Sequence, residues 1–516
     1  MSMTQSRLSL RQNKNVERRQ LPGSSKQSIL TTRRLQLSDL SLDVFLRIQL
    51  YLPPQDIISF RKCCKAIYQS TKVKSTWLEA LRNACAENQV FEPTFCKMKD
   101  MSRRSLEFSS MSPHLFLNRL RAHAQDPVYA QVPLQPAGVR ILSSSPTGPA
   151  FSQVVLVPGG RYLLTTSLPS LIELWDLGDG SHMMRNKPIA RCDVQGVDNG
   201  LDVSFDFTTI PTPDGTGFRI LYLFSQHGAV IGSIYFYEIF PTSPEPEFIL
   251  RRSLDLSAVE LESMSCLQAY GDKLAFATRG RVVIWDFIQH SVSFFPVDFP
   301  AAGPIFLIQN DFIVVNRDDN FAIFRIPSLQ ALTATDTLPD LIDTAARRPV
   351  LQVLYPLHSV KFSWPLDWYG NVPFQIIGME EITNERVTNT YIIEPVMHAS
   401  GAVFCPIPML KERVRTPEST ISSSPGSTAD EQFFTFSLSL AGGVNAMVAR
   451  ARSHQALTIN ILGEEKTEEV LLWNWREEDS GDDDQVWSLC PFSGRFCVLT
   501  ARRREIRVLD FLRPPE

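Results

Sequence analysis

The feature that most constrains this chain is a repeat within itself. Residues 159–177 (GGRYLLTTSLPSLIELWDL) and 493–511 (SGRFCVLTARRREIRVLDF) share one pattern. Each opens small-Gly-Arg-aromatic, runs into an apolar strand ending in Thr, turns, and closes with a strand ending apolar-Asp-apolar. Tyr162 to Asp176 and Phe496 to Asp510 span the same 14 positions. Residues 271–287 (GDKLAFATRGRVVIWDF) and 310–326 (NDFIVVNRDDNFAIFRI) are shorter copies, again two strands about a tight polar turn. A unit this small cannot bury both faces of its own sheet, so several copies must stack on one another.

Further strands of the same type are IYFYEIF (234–240), TYIIEP (390–395) and EEVLLWNW (468–475), giving seven candidate units. Spread over residues 151–516, they average about 52 residues each, near the size of a propeller blade with loop insertions. The expectation is therefore an all-β propeller of about seven blades. An irregular β-sandwich, or a ring of six or eight blades, would use the same strands. The endings Leu174-Trp175-Asp176 and Ile284-Trp285-Asp286 resemble the end of a WD repeat, although the chain has no Gly-His dipeptide.

Ahead of the repeats lie zones of other composition. Residues 1–37 are polar and basic; residues 1–40 hold eight Lys/Arg against Glu17 and Asp39, as expected of a solvated, disordered arm. Residues 38–123 show helical periodicity. In LSLDVFLRIQLYL, Val44, Ile48 and Leu52 repeat at helical spacing beside Leu42, Phe45 and Leu46. Pro53-Pro54 stops that helix and Pro54 opens the next. Ile57, Phe60, Cys64 and Ile67 keep the spacing, Trp77, Leu81 and Cys85 mark another helix, and Ser112-Pro113 is read as the start of a fourth. So small a helical unit has little interior, and its surplus apolar surface points to a binding partner. Residues 124–150, with five prolines, read as an extended linker.

The stretch Leu40 to Leu81 resembles an F-box. The positions that carry the likeness are Leu40, Val44, Ile48, Leu52, Pro54, Asp56, Ile57, Phe60, Arg61, Cys64 and Trp77. Ser41 stands where proline is usual, and Gln49 where an aromatic is common. The resemblance implies an all-α F-box at 38–85, a helical bridge at 86–123, and the propeller at 151–516. It also implies binding of a Skp-type adaptor and, through it, a cullin, with Leu40, Leu42, Ile48, Leu52, Ile57 and Phe60 as the adaptor-binding candidates. The propeller would hold a protein substrate of unknown identity, making the chain the substrate-recognition subunit of an SCF-type ubiquitin ligase. The alternative is an F-box scaffold or trafficking protein outside any ligase. In receptors of this kind arginines often read phosphate, and Arg279, Arg317 and Arg502 are loop candidates.

No chemistry of its own is legible. The chain has no GxSxG elbow, HExxH, phosphate-binding GxxxxGK[ST] loop or dinucleotide GxGxxG. Eight histidines are scattered singly, and nine cysteines form no CxxC pair, so neither metal nor other cofactor is expected. An enzyme hidden in the propeller is the least supported reading. The acidic tip Glu477–Asp484 lacks calcium-loop spacing and reads as a solvated turn. Residues 411–432 read as a disordered insertion, with Thr416-Pro417 and Ser424-Pro425 as candidate phosphate acceptors. Trp364, Trp368, Trp473 and Trp475 read as core rather than as an aromatic pocket. With no long apolar run and no signal sequence, a cytoplasmic or nuclear protein is expected, with neither membrane nor nucleic acid as a partner.

Overall fold

The computed structural model describes residues 40–95, 97–126, 132–144, 148–167, 170–178, 187–194, 203–226, 232–256, 265–278, 281–296, 305–308, 312–316, 320–333, 349, 351–354, 361–363, 374–382, 385–393, 396–397, 403–404, 408–417, 432–440, 443–452, 456–461, 468–474, 486–500 and 503–514. The basic arm at 1–37, the acidic tip, Ser424-Pro425, Trp364, Trp368, Trp475, Arg279, Arg317 and Arg502 lie outside these residues.

The repeats are the middle hairpins of sheets. Each copy forms two adjacent antiparallel strands: Tyr162–Ser167 with Leu171–Asp176, Lys273–Thr278 with Arg281–Asp286, Phe312–Asn316 with Asn320–Arg325, and Arg495–Leu499 with Glu505–Asp510. Tyr162–Ser167 and Arg495–Leu499 are buried along their whole length. Continuous burial, rather than alternation, is what a strand shows when both sheet faces are covered. The outer strand Ile249–Asp255 is by contrast mostly exposed.

Among the described residues seven sheets of four or five strands result, together with a two-stranded ribbon of Val396–Met397 and Val403–Phe404. The first strand of one sheet lies against the first strand of the next: Phe151–Leu156 beside Trp487–Cys490, Val203–Pro211 beside Ser265–Tyr270, Ser265–Tyr270 beside Ile305–Ile308, and Lys361–Ser363 beside Gln432–Leu440. First strands are therefore innermost. The seventh sheet takes its outermost strand from the other end of the chain, because Gly138–Ser143 pairs antiparallel with Glu505–Asp510, from Gly138↔Asp510 to Ser143↔Glu505. Among the described residues, seven blades whose last takes its outer strand from ahead of the first make a β-propeller, and that pairing covers the outer edge of Glu505–Asp510.

Apolar side chains seal the blades to one another. Leu164, Ile172 and Leu174 of the first blade pack with Phe218, Ile220 and Tyr222 of the second. Trp285 and Phe287 of the third join Leu221, Ile234 and Phe236 of the second. Leu457, Ile459 and Leu472 of the sixth meet Phe496, Val498 and Leu509 of the seventh. Trp473 is half-buried against this last cluster, with its ring 6.4 Å from Phe496, and so serves the core.

The Gly-Arg…Asp signature has a physical basis. Gly160 and Gly494 sit in the turn between first and second strands at φ +76° and +62°, where a side chain is disfavoured. The following arginine pairs across the sheet with the aspartate: Arg161 Nη2 to Asp176 Oδ2 at 2.9 Å, and Arg495 Nε to Asp510 Oδ1 at 2.6 Å. In the second blade Arg219 and Glu238 occupy the equivalent register at 3.2 Å.

The helices are α1 (Leu42–Gln49), α2 (Pro54–Phe60), α3 (Lys65–Ser70), α4 (Lys74–Glu87) and α5 (Arg103–Gln125). The run expected to be one helix through Ile57, Phe60, Cys64 and Ile67 is two, α2 and α3. Helix α5 begins ten residues before the Ser112-Pro113 start expected for it, at the cap Ser102, whose hydroxyl accepts from the Ser105 N–H at 3.1 Å. Pro113 is interior and buried, and the Ser112 hydroxyl donates to the Phe108 carbonyl at 2.9 Å one turn before it. Two segments read as linker and insertion hold strands. Gly138–Ser143 within 124–150 closes the ring, and Pro408–Pro417, which includes the start of 411–432, pairs with Glu385–Ile393.

Candidate functional site

The helical segment is built on a small polar and aromatic interior. Phe45 and Gln49, one turn apart on α1, point inward. Gln49 is 2% exposed, and both ends of its amide are used: Nε2 donates to the Ser70 hydroxyl at 2.5 Å, and Oε1 accepts from the Thr76 hydroxyl at 3.1 Å. One side chain thereby ties α1 to α3 and α4, which explains how a glutamine occupies a position enclosed by its neighbours. Trp77 is fully buried and its indole N–H donates to the Thr71 carbonyl at 2.8 Å. Arg61 lies over that ring, 5.3 Å from its centre, donates to the Thr71 hydroxyl at 3.0 Å, and pairs with Glu107 of α5 at 2.8 Å.

The inward stripe of α1 is not the one its apolar residues suggest. Val44 and Ile48 form one flank and Leu42 and Leu46 the other. Leu42 is 51% exposed, Val44 40%, Leu50 39% and Tyr51 76%. Four large apolar side chains within ten residues thus remain uncovered, with Tyr68 of α3 exposed as well. Apolar surface of this kind marks a contact with another protein more often than it marks a free face.

The match to known families falls on this segment: residues 37–79 fit the F-box domain model. The chain carries an F-box domain. No curated protein matches the chain. Solved structures similar to it include that of U3-55K (TM-score 0.37, 10% identity, 73% of this chain and 99% of that one). Others are the RRP9 WD40 repeats (0.40, 9%, 73% and 99%) and the Nup133 β-propeller domain of Vanderwaltozyma polyspora (0.37, 11%, 72% and 97%). The propeller itself is defined by the sheet order and the closing strand described above.

Within the F-box the six adaptor-binding candidates separate. Leu42 is exposed, and Leu40, Ile48, Leu52 and Phe60 are half-buried. Leu52 packs against the core, and the Phe60 ring stands 6.4 Å from Phe45. Ile57 has no exposed surface and packs in the same cluster as Trp77, Leu81 and Leu106, so its side chain faces the interior. Val44, Leu50 and Tyr51 join the exposed set although they are absent from the six. Tyr51 in the turn after α1 gave no sequence signal, whereas Val44 already carried the family likeness. Ser41 is the N-cap of α1, exposed, without a side-chain capping bond.

The F-box does not hang from a flexible tether. Its core residues Ile57, Trp77 and Leu81 belong to one cluster with Phe151, Trp175 and Cys497 of the first and seventh blades. Phe91, after α4, is wedged between Tyr162 and Phe218 at 6.1 and 5.6 Å, and its N–H donates to the Pro158 carbonyl at 3.1 Å. Phe95 meets Phe492 at 6.0 Å, and Arg119 of α5 donates to the Phe511 carbonyl at 2.7 Å. The contacts of Phe91, Phe95 and Arg119 fall at one end of the blades, the end bearing the turns between first and second strands. Burial pushes the thiols of Cys85 and Cys497 well up from their ordinary value, as inert structural cysteines. Among the described residues no group of His, Cys, Asp or Glu is arranged to hold a metal, and no helix is long and apolar enough to cross a membrane.

Proposed function

We propose that this chain is the substrate-recognition subunit of an SCF-type ubiquitin ligase. Its F-box binds a Skp-type adaptor and through it a cullin, and its propeller holds a protein substrate. The observation that carries the reading is the F-box match coinciding with the uncovered apolar residues Leu42, Val44, Leu50 and Tyr51. The chain performs no bond chemistry in this role. It raises the effective concentration of substrate lysines near a charged enzyme, which is a proximity effect. Because the helical segment occupies one end of the blades, the opposite end, with the hairpin turns at Ser170 and at Arg503-Arg504, is the substrate-facing side.

The test is adaptor pull-down with surface variants that leave the interior intact. Leu42→Asp with Tyr51→Ala is expected to weaken adaptor capture by at least about tenfold, since each removes apolar contact worth about 1.5–3 kcal/mol when fully buried. The melting temperature should be unchanged. Capture equal to that of the unmodified chain refutes the adaptor reading. Capture of the adaptor without a cullin would place the chain outside a ligase.

A further inference from the structure

Helix α3 lies in the middle of a stretch that holds no acidic residue. From Ile57 to Leu78 the chain carries Arg61, Lys62, Lys65, Lys72 and Lys74 against no Asp or Glu, although its overall net charge is −4. Two of these cations already have partners. Arg61 pairs with Glu107 at 2.8 Å, and Lys74 Nζ donates to the Lys99 carbonyl at 2.5 Å. The other three, Lys62, Lys65 and Lys72, are exposed and make no ion pair among the described residues.

The fold of the F-box sets these three on the outside. Ile67 and Ser70 are the buried side of α3, and the Ser70 hydroxyl accepts from Gln49 of α1. Lys65 and Tyr68 are three positions apart, the spacing that keeps two side chains on one side of a helix. Lys72 follows four positions later, just past the C-cap Thr71, and its ammonium stands over the Tyr68 ring, 4.4 Å from the centre. Lys62 precedes α3 by three residues. Tyr68 is itself one of the exposed large apolar residues of the F-box, so the basic strip and the uncovered apolar surface meet in one side chain.

Like charges crowded without a counter-charge repel one another, and an oppositely charged surface relieves that repulsion. Charges at the rim of an apolar contact act mainly on how fast the partner arrives, because their field reaches beyond the contact itself. Three cations are few against the roughly 6–10 phosphate contacts of a strongly salt-dependent nucleic-acid binder. They are enough to steer a protein.

We propose that Lys62, Lys65 and Lys72 dock an acidic segment of the F-box's adaptor, beside the apolar contact made by Leu42, Val44, Leu50 and Tyr51. This rests on the adaptor reading above and adds to it a second element of recognition. The apolar residues hold the adaptor, and the lysines set its approach and its orientation.

The test measures association of the full chain with a purified Skp-type adaptor by stopped flow at about 50 and about 500 mM salt. The unmodified chain should associate at least about tenfold faster at the lower salt, with its dissociation rate changed by less than about twofold. The triple variant Lys62→Glu, Lys65→Glu and Lys72→Glu should associate at least about tenfold more slowly at low salt, lose that salt dependence and keep its Tm. The triple Gln variant at the same positions decides the matter if the Glu variant does not fold, and should be slower by about threefold or more. An association rate indifferent to salt, or folded variants that match the unmodified chain, overturns the proposal and leaves the adaptor reading standing. An unmodified chain that captures no adaptor sinks both. Salt-independent adaptor association, with retention on an RNA oligomer that the Glu variant loses, would assign the strip to a nucleic acid and likewise overturn the proposal.

Discussion

Phe91→Ala is the sharpest probe of how the two halves are joined. The Phe91 ring is fully buried, meets Tyr162 and Phe218 edge-on, and belongs to the cluster that seals the first blade to the second. Truncating a buried phenylalanine costs about 3–5 kcal/mol through lost transfer energy and the cavity left behind. The two edge-on ring contacts, each about 0.5–1.5 kcal/mol, place this site toward the upper end of that range. Urea unfolding should be followed by far-ultraviolet circular dichroism for the helices and by tryptophan fluorescence, to which every tryptophan but Trp77 contributes from residues 175–487, for the blades. The unmodified chain is expected to lose both signals together, because Ile57, Trp77 and Leu81 share a cluster with blade residues. In the variant the midpoint falls, and the helical signal is lost ahead of the fluorescence. A loss of stability under about 1 kcal/mol would falsify the wedge, and separate transitions in the unmodified chain would refute the shared core.

Three other outcomes follow from the same geometry. A chain starting at residue 151 lacks the strand Gly138–Ser143 and leaves Glu505–Asp510 as an open edge; it is expected to aggregate during size-exclusion chromatography, while the full chain stays dispersed. Gln49→Ala leaves the Thr76 hydroxyl without its acceptor, while the Ser70 hydroxyl keeps its bond to the Ile67 carbonyl, and should cost about 1–3 kcal/mol in urea titration, whereas a cost near zero would show that the amide bridge contributes nothing. His114 has its pKa lowered below the ordinary 6.5, first by burial and then by Arg121, with Asp56 opposing. The unfolded chain therefore binds its proton first, so stability falls as pH drops from the unfolded value through the folded one, and the loss is complete below that. The Tm of His114→Gln should fall less than that of the unmodified chain between about pH 7.5 and 5.5, and identical slopes would show that His114 does not contribute.

Much of the ring was legible because its middle hairpins are covered on both faces. Strands such as Arg281–Asp286 must be apolar along nearly their whole length, and the Gly-Arg…Asp frame marks their ends. The closing strand was not legible. Its burial alternates, with Val139 and Ile141 more than half exposed, it lies in a proline-rich stretch, and its partner is Asp510 and its neighbours, at the far end of the chain. In the F-box the helices could be read from spacing and proline punctuation, but the division between interior and surface could not. Gln49 is polar and inside, held by two hydroxyls contributed by α3 and by α4, while Leu42 and Val44 are apolar and outside. A periodicity count places all three on the wrong side, because it sees hydropathy and not the partners that satisfy an amide. Helix α5 was shortened at Pro113 for a related reason: a proline normally ends a helix, but here packing by Leu106, Phe116 and Leu120 carries the helix through it.

The pairing of Gly138 with Asp510 also sets a timetable for synthesis. At roughly 5–20 residues per second, a ribosome needs roughly 20 to 75 seconds between making one strand and making its mate. Over that interval the nascent chain accumulates six blades' worth of sheet with no means of joining the ends. An early stop codon anywhere before residue 505 would release a product whose first-made strand has nothing to pair with, so truncated forms are expected to be cleared by quality control rather than to survive as partial receptors.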